Sequence, residues 1–163
     1  MNQTASSPQV SVIVPLYNEE DNVPILQAEL RAALRAIDHE FIFVDDGSAD
    51  HTVERIEAAP NTRVVRFEKN AGQSAAIYAG LQAARGTILV LIDGDLQNDP
   101  ADIPKLVGEI ARGADLVCGY RAQRRDTRVK RLTSRIANAV RAVTQKTVCA
   151  TPVARSRRCG ANA

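Results

Sequence analysis

The triplet Asp93-Gly94-Asp95, at the exit of the apolar run Ile88-Leu89-Val90-Leu91-Ile92, is the part of this chain best equipped for chemistry. Two carboxylates one glycine apart can hold a divalent cation against a diphosphate, because Mg²⁺ takes one or two protein carboxylates and completes its shell with water and phosphate oxygens. The ligand class implied is a nucleotide-diphosphate ester. The same triplet also occurs in plain turns, where aspartates bond their own backbone and glycine takes positive φ. Two further acidic or polar strand exits favour the chemical reading. Phe41-Ile42-Phe43-Val44 empties into Asp45-Asp46-Gly47-Ser48, and Val10-Ser11-Val12-Ile13-Val14 into Pro15-Leu16-Tyr17-Asn18-Glu19-Glu20. Open α/β sheets bind ligands outside the carboxyl ends of their strands, at a topological switch point. The three loops are therefore expected to line one cleft.

The elements that would carry these loops alternate. Val23, Leu26, Leu30, Ala33, Leu34 and Ile37 recur at helical spacing and give one apolar face. A strand follows at 40–44, and Asp50 is placed to cap a short helix carrying Val53 and Ile56. A third strand is read at 64–67, an alanine-rich helix at 74–84, a strand at 87–92, a helix at 100–112 closed by Gly113, and a fifth strand at 115–119. Such alternation implies right-handed crossovers and an open, mostly parallel sheet with helices on both faces.

At 163 residues, 45% hydrophobic and 25% charged, the chain fits one α/β domain with a full core. No apolar run approaches the roughly 20 residues that span a bilayer, and residues 1–8 lack a secretory pattern and are expected to be disordered. Cys118, Cys149 and Cys159 suggest neither a disulfide framework nor a zinc site. The net charge of +2 hides a division: residues 1–120 hold 9 Lys/Arg against 18 Asp/Glu, whereas residues 121–163 hold 12 Lys/Arg and only Asp126. A basic segment on an acidic body suits an anionic partner, although a solvated basic helix has the same composition.

Taken in order, Val14-Pro15-Leu16-Tyr17-Asn18-Glu19, Val44-Asp45-Asp46-Gly47-Ser48, Asn70-Ala71-Gly72-Gln73-Ser74-Ala75-Ala76 and Asp93-Gly94-Asp95-Leu96-Gln97 resemble the family 2 glycosyltransferases of GT-A (Rossmann-like) fold. Within that family the resemblance is to the dolichyl-phosphate mannose synthase-like branch and its bacterial polyprenyl-phosphate relatives, favoured by Asp-Leu-Gln-Asn-Asp-Pro at 95–100 and by Gly119-Tyr120-Arg121. It covers residues 9–142.

The resemblance implies roles. Pro15, Tyr17, Glu19, Val44 and Asp46 would hold the nucleoside of a nucleotide-diphosphate sugar. Asp93 and Asp95 would bind Mg²⁺ or Mn²⁺ and act as the catalytic pair, easing departure of the nucleotide by neutralising its growing charge. Gly94 lies between them and Gln97 beside the sugar phosphate. Gly72 would let backbone approach the donor, although a helix-start glycine with an unusual φ accounts for it as well. Arg121 would bind the donor, and Lys130 and Arg131 the acceptor phosphate, guanidinium being well matched to phosphate oxygens.

A phosphate-monoester acceptor, with a second pKa of about 6, is anionic at neutral pH and needs positioning more than a general base. The implied reaction is a single in-line displacement at the anomeric carbon with inversion, the acceptor being a polyprenyl phosphate. The protein is accordingly expected to be cytoplasmic and peripheral to the inner face of the cell membrane. Its basic segment would meet anionic headgroups at about 1 kcal/mol per charge.

Beside this reading stand a family 2 transferase with a sugar acceptor and three alternatives from other classes. An aspartyl-nucleophile phosphatase also places Asp-x-Asp after a strand, but Gln97 stands where that class usually has Thr or Val. A nucleic-acid-binding module is disfavoured because the aromatic nearest the basic segment is Tyr120, which leaves no stacking platform. The third is a non-catalytic remnant that binds nucleotide sugar only. Residues 143–163 lack apolar periodicity and the family's motifs, and are expected to be a disordered or frameshifted tail. One choice of codons for residues 150–163, read two bases later, encodes Asp-Thr-Gly-Cys-Thr-Leu-Lys, which resembles the missing family segment.

Overall fold

The computed structural model describes residues 7–119 and 151–155. Strands β1 (Val10–Leu16), β2 (His39–Asp45), β3 (Thr62–Arg66), β4 (Ile88–Leu91), β5 (Leu116–Gly119) and β6 (Thr151–Arg155) form one sheet in the order β3-β2-β1-β4-β6-β5. β1 pairs in parallel with β2 and β4, and β2 with β3, while β6 runs antiparallel between β4 and β5. Helices α1 (Val23–Leu34), α2 (Gln73–Ala83) and α3 (Ile103–Ala111), the last entered through the 3₁₀ turn Pro100–Asp102, complete the order. Apart from β6, the expected α/β architecture with a mostly parallel sheet is what the chain adopts.

Alternation along the strands decides which layer each side chain joins. Val10, Val12, Val14 and Leu16 of β1, with Phe41 and Phe43 of β2, pack with Leu26, Leu30 and Leu34 of α1 and Ile103, Val107 and Ile110 of α3. Ile13, Ile42 and Val44 point to the other face, where they meet Ala76 of α2. Burial on both faces is why these strands read as continuous apolar runs, and each such side chain contributes about 1.5–3 kcal/mol. α2 approaches the sheet closely because Gly80 has no side chain: a Cβ there would sit 2.3 Å from Ile13 Cγ2.

Four sequence expectations change. Residues around Val53 and Ile56 form turns rather than a helix; Asp50 spends its carboxylate on Thr52, whose N–H and hydroxyl donate at 3.0 and 2.5 Å, and too few residues follow to propagate a helix. Pro8 is buried rather than disordered. Thr151–Arg155, inside the segment expected to lack regular structure, is a strand whose backbone fills the gap between β4 and β5. Cys118 is disulfide-bonded, which cysteine spacing did not suggest.

Candidate functional site

From β1 the chain steps one way to β2 and β3 and the other way to β4, so the switch point lies between β1 and β4. There a cleft of about 540 Å³ opens, walled by the exits of β1, β2 and β4 and by the start of α2.

The β4 exit carries Asp93 and Asp95 into this cleft. Gly94 between them is buried, and an added Cβ would lie 2.6 Å from Leu16 Cδ2 and 3.4 Å from the Pro15 carbonyl oxygen. A side chain at this position would displace Leu16, so glycine lets this loop lie close on the end of β1 with a carboxylate on either side. Leu96 then takes a left-handed φ of 56°, and the Gln97 N–H turns back to donate to Asp95 Oδ1 at 3.1 Å. Left-handed backbone is costly for a bulky residue and is retained where packing over-determines it. Here Leu96 packs against the main core. Asp93 accepts Gln73 Nε2 on Oδ1 at 2.9 Å and Asn98 Nδ2 on Oδ2 at 3.5 Å.

At the β1 exit Pro15, Leu16, Tyr17 and Glu19 line the cleft, with Tyr17 49% exposed. This loop is stitched to the one after β2. Asn18 N–H donates to Ser48 Oγ at 2.9 Å, Ala49 N–H to Asn18 Oδ1 at 2.9 Å, and Glu19 N–H to Thr52 Oγ1 at 2.8 Å. Glu19 Oε2 accepts Asn22 Nδ2 at 2.5 Å. Burial alone would raise the Asp50 pKa, but the hydroxyl and N–H of Thr52 and the N–H of Glu20 outweigh it and hold the group below its ordinary value.

Two carboxylates leave β2, and they differ in what they can do. Asp45 is fully buried, accepts Ser48 N–H on Oδ1 at 3.2 Å, and faces Arg66 Nε at 3.5 Å. Its Oδ2 has no hydrogen-bond partner. Asp46 lines the cleft and is 4% exposed, its oxygens accepting the N–H groups of Ala71 and Gly72 at 2.7 and 2.9 Å. A carboxylate has about four acceptor sites, so two remain for a ligand donor. Gly72 sets the start of α2 with φ 93° and ψ 152°, backbone that is essentially glycine's alone.

Glu19, Asp46, Asp93 and Asp95 thus share one cleft, and none of the described lining residues is a cation. A diphosphate would be repelled unless a bound cation intervened. No group of three or more His, Cys, Asp or Glu among the described residues could hold a metal. A two-carboxylate set suits Mg²⁺ or Mn²⁺ completed by phosphate oxygens and water.

Of the residues expected at the site, Pro15, Tyr17, Glu19, Asp46, Gly72, Asp93, Gly94 and Asp95 line the cleft. Val44 does not: its side chain is fully buried against Ile13 and Ala76, because strand alternation turns it under α2. Gln97 is exposed and lies outside the lining. Arg121, Lys130 and Arg131 lie outside the described residues. Asn70, Gln73 and Ala76 also line the cleft. Their signal was the helix start after Gly72, read for its glycine and not for its amides.

The sequence model described as Glycosyl transferase family 2 matches residues 11–157. The undecaprenyl-phosphate 4-deoxy-4-formamido-L-arabinose transferase of Pectobacterium carotovorum is 43% identical over 136 residues, covering 79% of this chain and 42% of the relative. The protein of the same name from Pseudomonas fluorescens Pf0-1 is 38% identical over 136 residues, with 79% and 40% covered. The chain thus spans about two fifths of the length of these curated relatives. Among solved structures, glucosyl-3-phosphoglycerate synthase from Mycobacterium tuberculosis, in complex with Mn²⁺, UDP and phosphoglyceric acid, superposes with a TM-score of 0.70 at 28% identity, over 91% of this chain and 56% of that one.

Proposed function

Because the chain belongs to glycosyl transferase family 2, we propose that it acts in inverting transfer of a sugar from a nucleotide-diphosphate sugar to a polyprenyl phosphate. The observation that carries this reading is the cleft at the switch point, where Asp93 and Asp95 stand with Glu19 and Asp46 and no described lining residue is a cation. Relatives at 38 and 43% identity are named for an undecaprenyl-phosphate acceptor, and a structural neighbour holds Mn²⁺ and UDP-glucose.

Tyr17 and Asp46 lie on the β1 and β2 side of the cleft, across the switch point from the Asp93 loop, which gives a donor a nucleoside end and a diphosphate end. Tyr17 offers an exposed ring for a base, and Asp46 its remaining acceptor sites for base or ribose donors. Asp93 and Asp95 would hold Mg²⁺ or Mn²⁺ at the diphosphate. When bound, that ion supplies charge neutralisation to the departing nucleotide. Gly94 keeps both carboxylates on the cleft, and the start of α2 walls its far side.

Lys130 and Arg131 would bind the acceptor phosphate, Arg121 and Gln97 the donor. The 12 Lys/Arg of residues 121–163 would hold the protein at the inner face of the cell membrane, where an anionic leaflet attracts basic segments. Among the described residues no helix is long and apolar enough to cross a membrane.

Calorimetry with UDP- and GDP-sugars, with Mn²⁺ and with chelator, tests the donor half. Sugar transfer to undecaprenyl phosphate in vesicles tests the acceptor half. Binding of one nucleotide sugar that requires the cation, with transfer to the lipid and none to water-soluble phosphate esters, is the expected result. Metal-independent binding, or transfer to soluble acceptors only, would refute it.

A further inference from the structure

We propose that Gln73 is a positioning residue that sets and preserves the metal-binding form of Asp93; this rests on the cation-dependent donor binding argued above. Gln73 opens α2, and its Nε2 donates to Asp93 Oδ1 at 2.9 Å across twenty residues of sequence. Asn98 Nδ2 donates to the other oxygen of Asp93, Oδ2, at 3.5 Å. The carboxylate is therefore held between two amides from separate segments, one on a helix and one on the loop that follows β4.

An amide suits this task for a chemical reason. A carboxylate that must coordinate a cation needs a fixed rotamer, a full negative charge and free lone pairs. One neutral N–H takes a single acceptor site and fixes the rotamer, whereas a Lys or Arg in its place would neutralise the charge and compete with the cation. The amide also projects from a firm base. Asp46 accepts the N–H groups of Ala71 and Gly72, and Gly72 adjoins Gln73, so Asp46, Gly72, Gln73 and Asp93 form a continuous connection across the cleft. Gln73 is itself exposed and at a helix start, so its removal leaves the core intact.

Electron paramagnetic resonance of free Mn²⁺, titrated into the full chain with pyrophosphate, reads this directly because the probe has no base, ribose or sugar. Gln73→Ala is expected to weaken Mn²⁺–pyrophosphate binding roughly three- to tenfold, as for the loss of one exposed hydrogen bond. Binding of uridine monophosphate in chelator and the thermal midpoint should stay at their wild-type values. Gln73→Lys, which keeps a donor but adds charge, should bind Mn²⁺–pyrophosphate more weakly than Gln73→Ala. A merely structural side chain would shift the thermal midpoint or uridine monophosphate binding along with Mn²⁺–pyrophosphate, so the loss confined to Mn²⁺–pyrophosphate in Gln73→Ala is the deciding result. The proposal is overturned if Gln73→Ala matches wild type, if Gln73→Lys binds as well as wild type, or if both variants lose their fold. Wild-type chain that binds no Mn²⁺ with pyrophosphate would overturn the metal reading as well, which separates the two failures.

Discussion

The main-chain N–H of Gly72 donates to Asp46 Oδ2 at 2.9 Å, while the N–H of Ala71 donates to Oδ1 of the same carboxylate at 2.7 Å. Asp46 is thus both a wall of the cleft and the anchor of the segment that starts α2. Asp46→Ala should cost about 1–3 kcal/mol of stability by leaving two donors without their acceptor. It should also weaken binding of a nucleoside monophosphate in chelator. Urea unfolding and calorimetry read the two effects, and unchanged nucleoside monophosphate affinity would remove Asp46 from the nucleoside side.

The two carboxylates after β4 have a different signature. Asp93→Asn or Asp95→Asn removes one unit of charge from the cation's shell while keeping the side chain's size, and at Asp93 it also turns one of two accepting oxygens into a donor. Nucleotide-sugar affinity in Mn²⁺ should fall by about tenfold or more, as expected when a charged partner is lost, with little change in chelator. Equal wild-type affinity in Mn²⁺ and chelator would sink the assignment.

At the start of β2, on the far end of the strands from the cleft, Glu40 is 1% exposed and accepts Ser11 Oγ at 2.7 Å, Arg85 N–H at 2.8 Å, and Arg85 Nε and Nη2 at 3.0 and 2.8 Å. Burial alone would raise its pKa. The Ser11 hydroxyl and the Arg85 N–H and guanidinium outweigh burial and hold it below the ordinary Glu value. A carboxyl lowered on folding stabilises fully above its unfolded pKa and loses that contribution as pH falls through its folded pKa. Urea midpoints should therefore fall more steeply in acid for wild type than for Glu40→Gln. Identical slopes would show that the Glu40 network does not contribute to acid stability.

The three loops, their cleft and the Asp-Gly-Asp geometry were legible because each follows a strand buried on both faces, where an uninterrupted apolar run ends abruptly in carboxylates. Side-chain direction was not legible at Val44, since the motif gives its position but only strand pairing shows which face it takes. The Glu40 network was illegible for a related reason. Its partners Ser11 and Arg85 lie 29 and 45 residues away, and only the parallel pairing of β1 with both β2 and β4 brings them together. β6 is not legible in Thr-Pro-Val-Ala-Arg because its proline brings no N–H to a ladder and argues against an inner strand. The gap between β4 and β5 overrides that local preference.

Glycine-to-alanine changes should reverse sign between two sites that have equal space. Neither Gly72 nor Gly108 has any atom within 4 Å of an added Cβ, so packing does not distinguish them. Backbone does. Gly72 sits at φ 93° and ψ 152°, where a Cβ costs of order 1–3 kcal/mol, and relieving that strain would turn the Ala71 and Gly72 N–H groups away from Asp46. Gly108 lies inside α3 with ordinary helical φ, where alanine is favoured by about 0.5–1 kcal/mol. Gly108→Ala should therefore raise the urea midpoint with nucleotide binding unchanged, whereas Gly72→Ala should lower it and weaken nucleoside monophosphate binding together. If Gly72→Ala stabilised the protein or left nucleotide affinity intact, the start of α2 would not be fixed by Asp46 through this glycine, and the connection from the nucleoside side of the cleft to Asp93 would fail at its second residue.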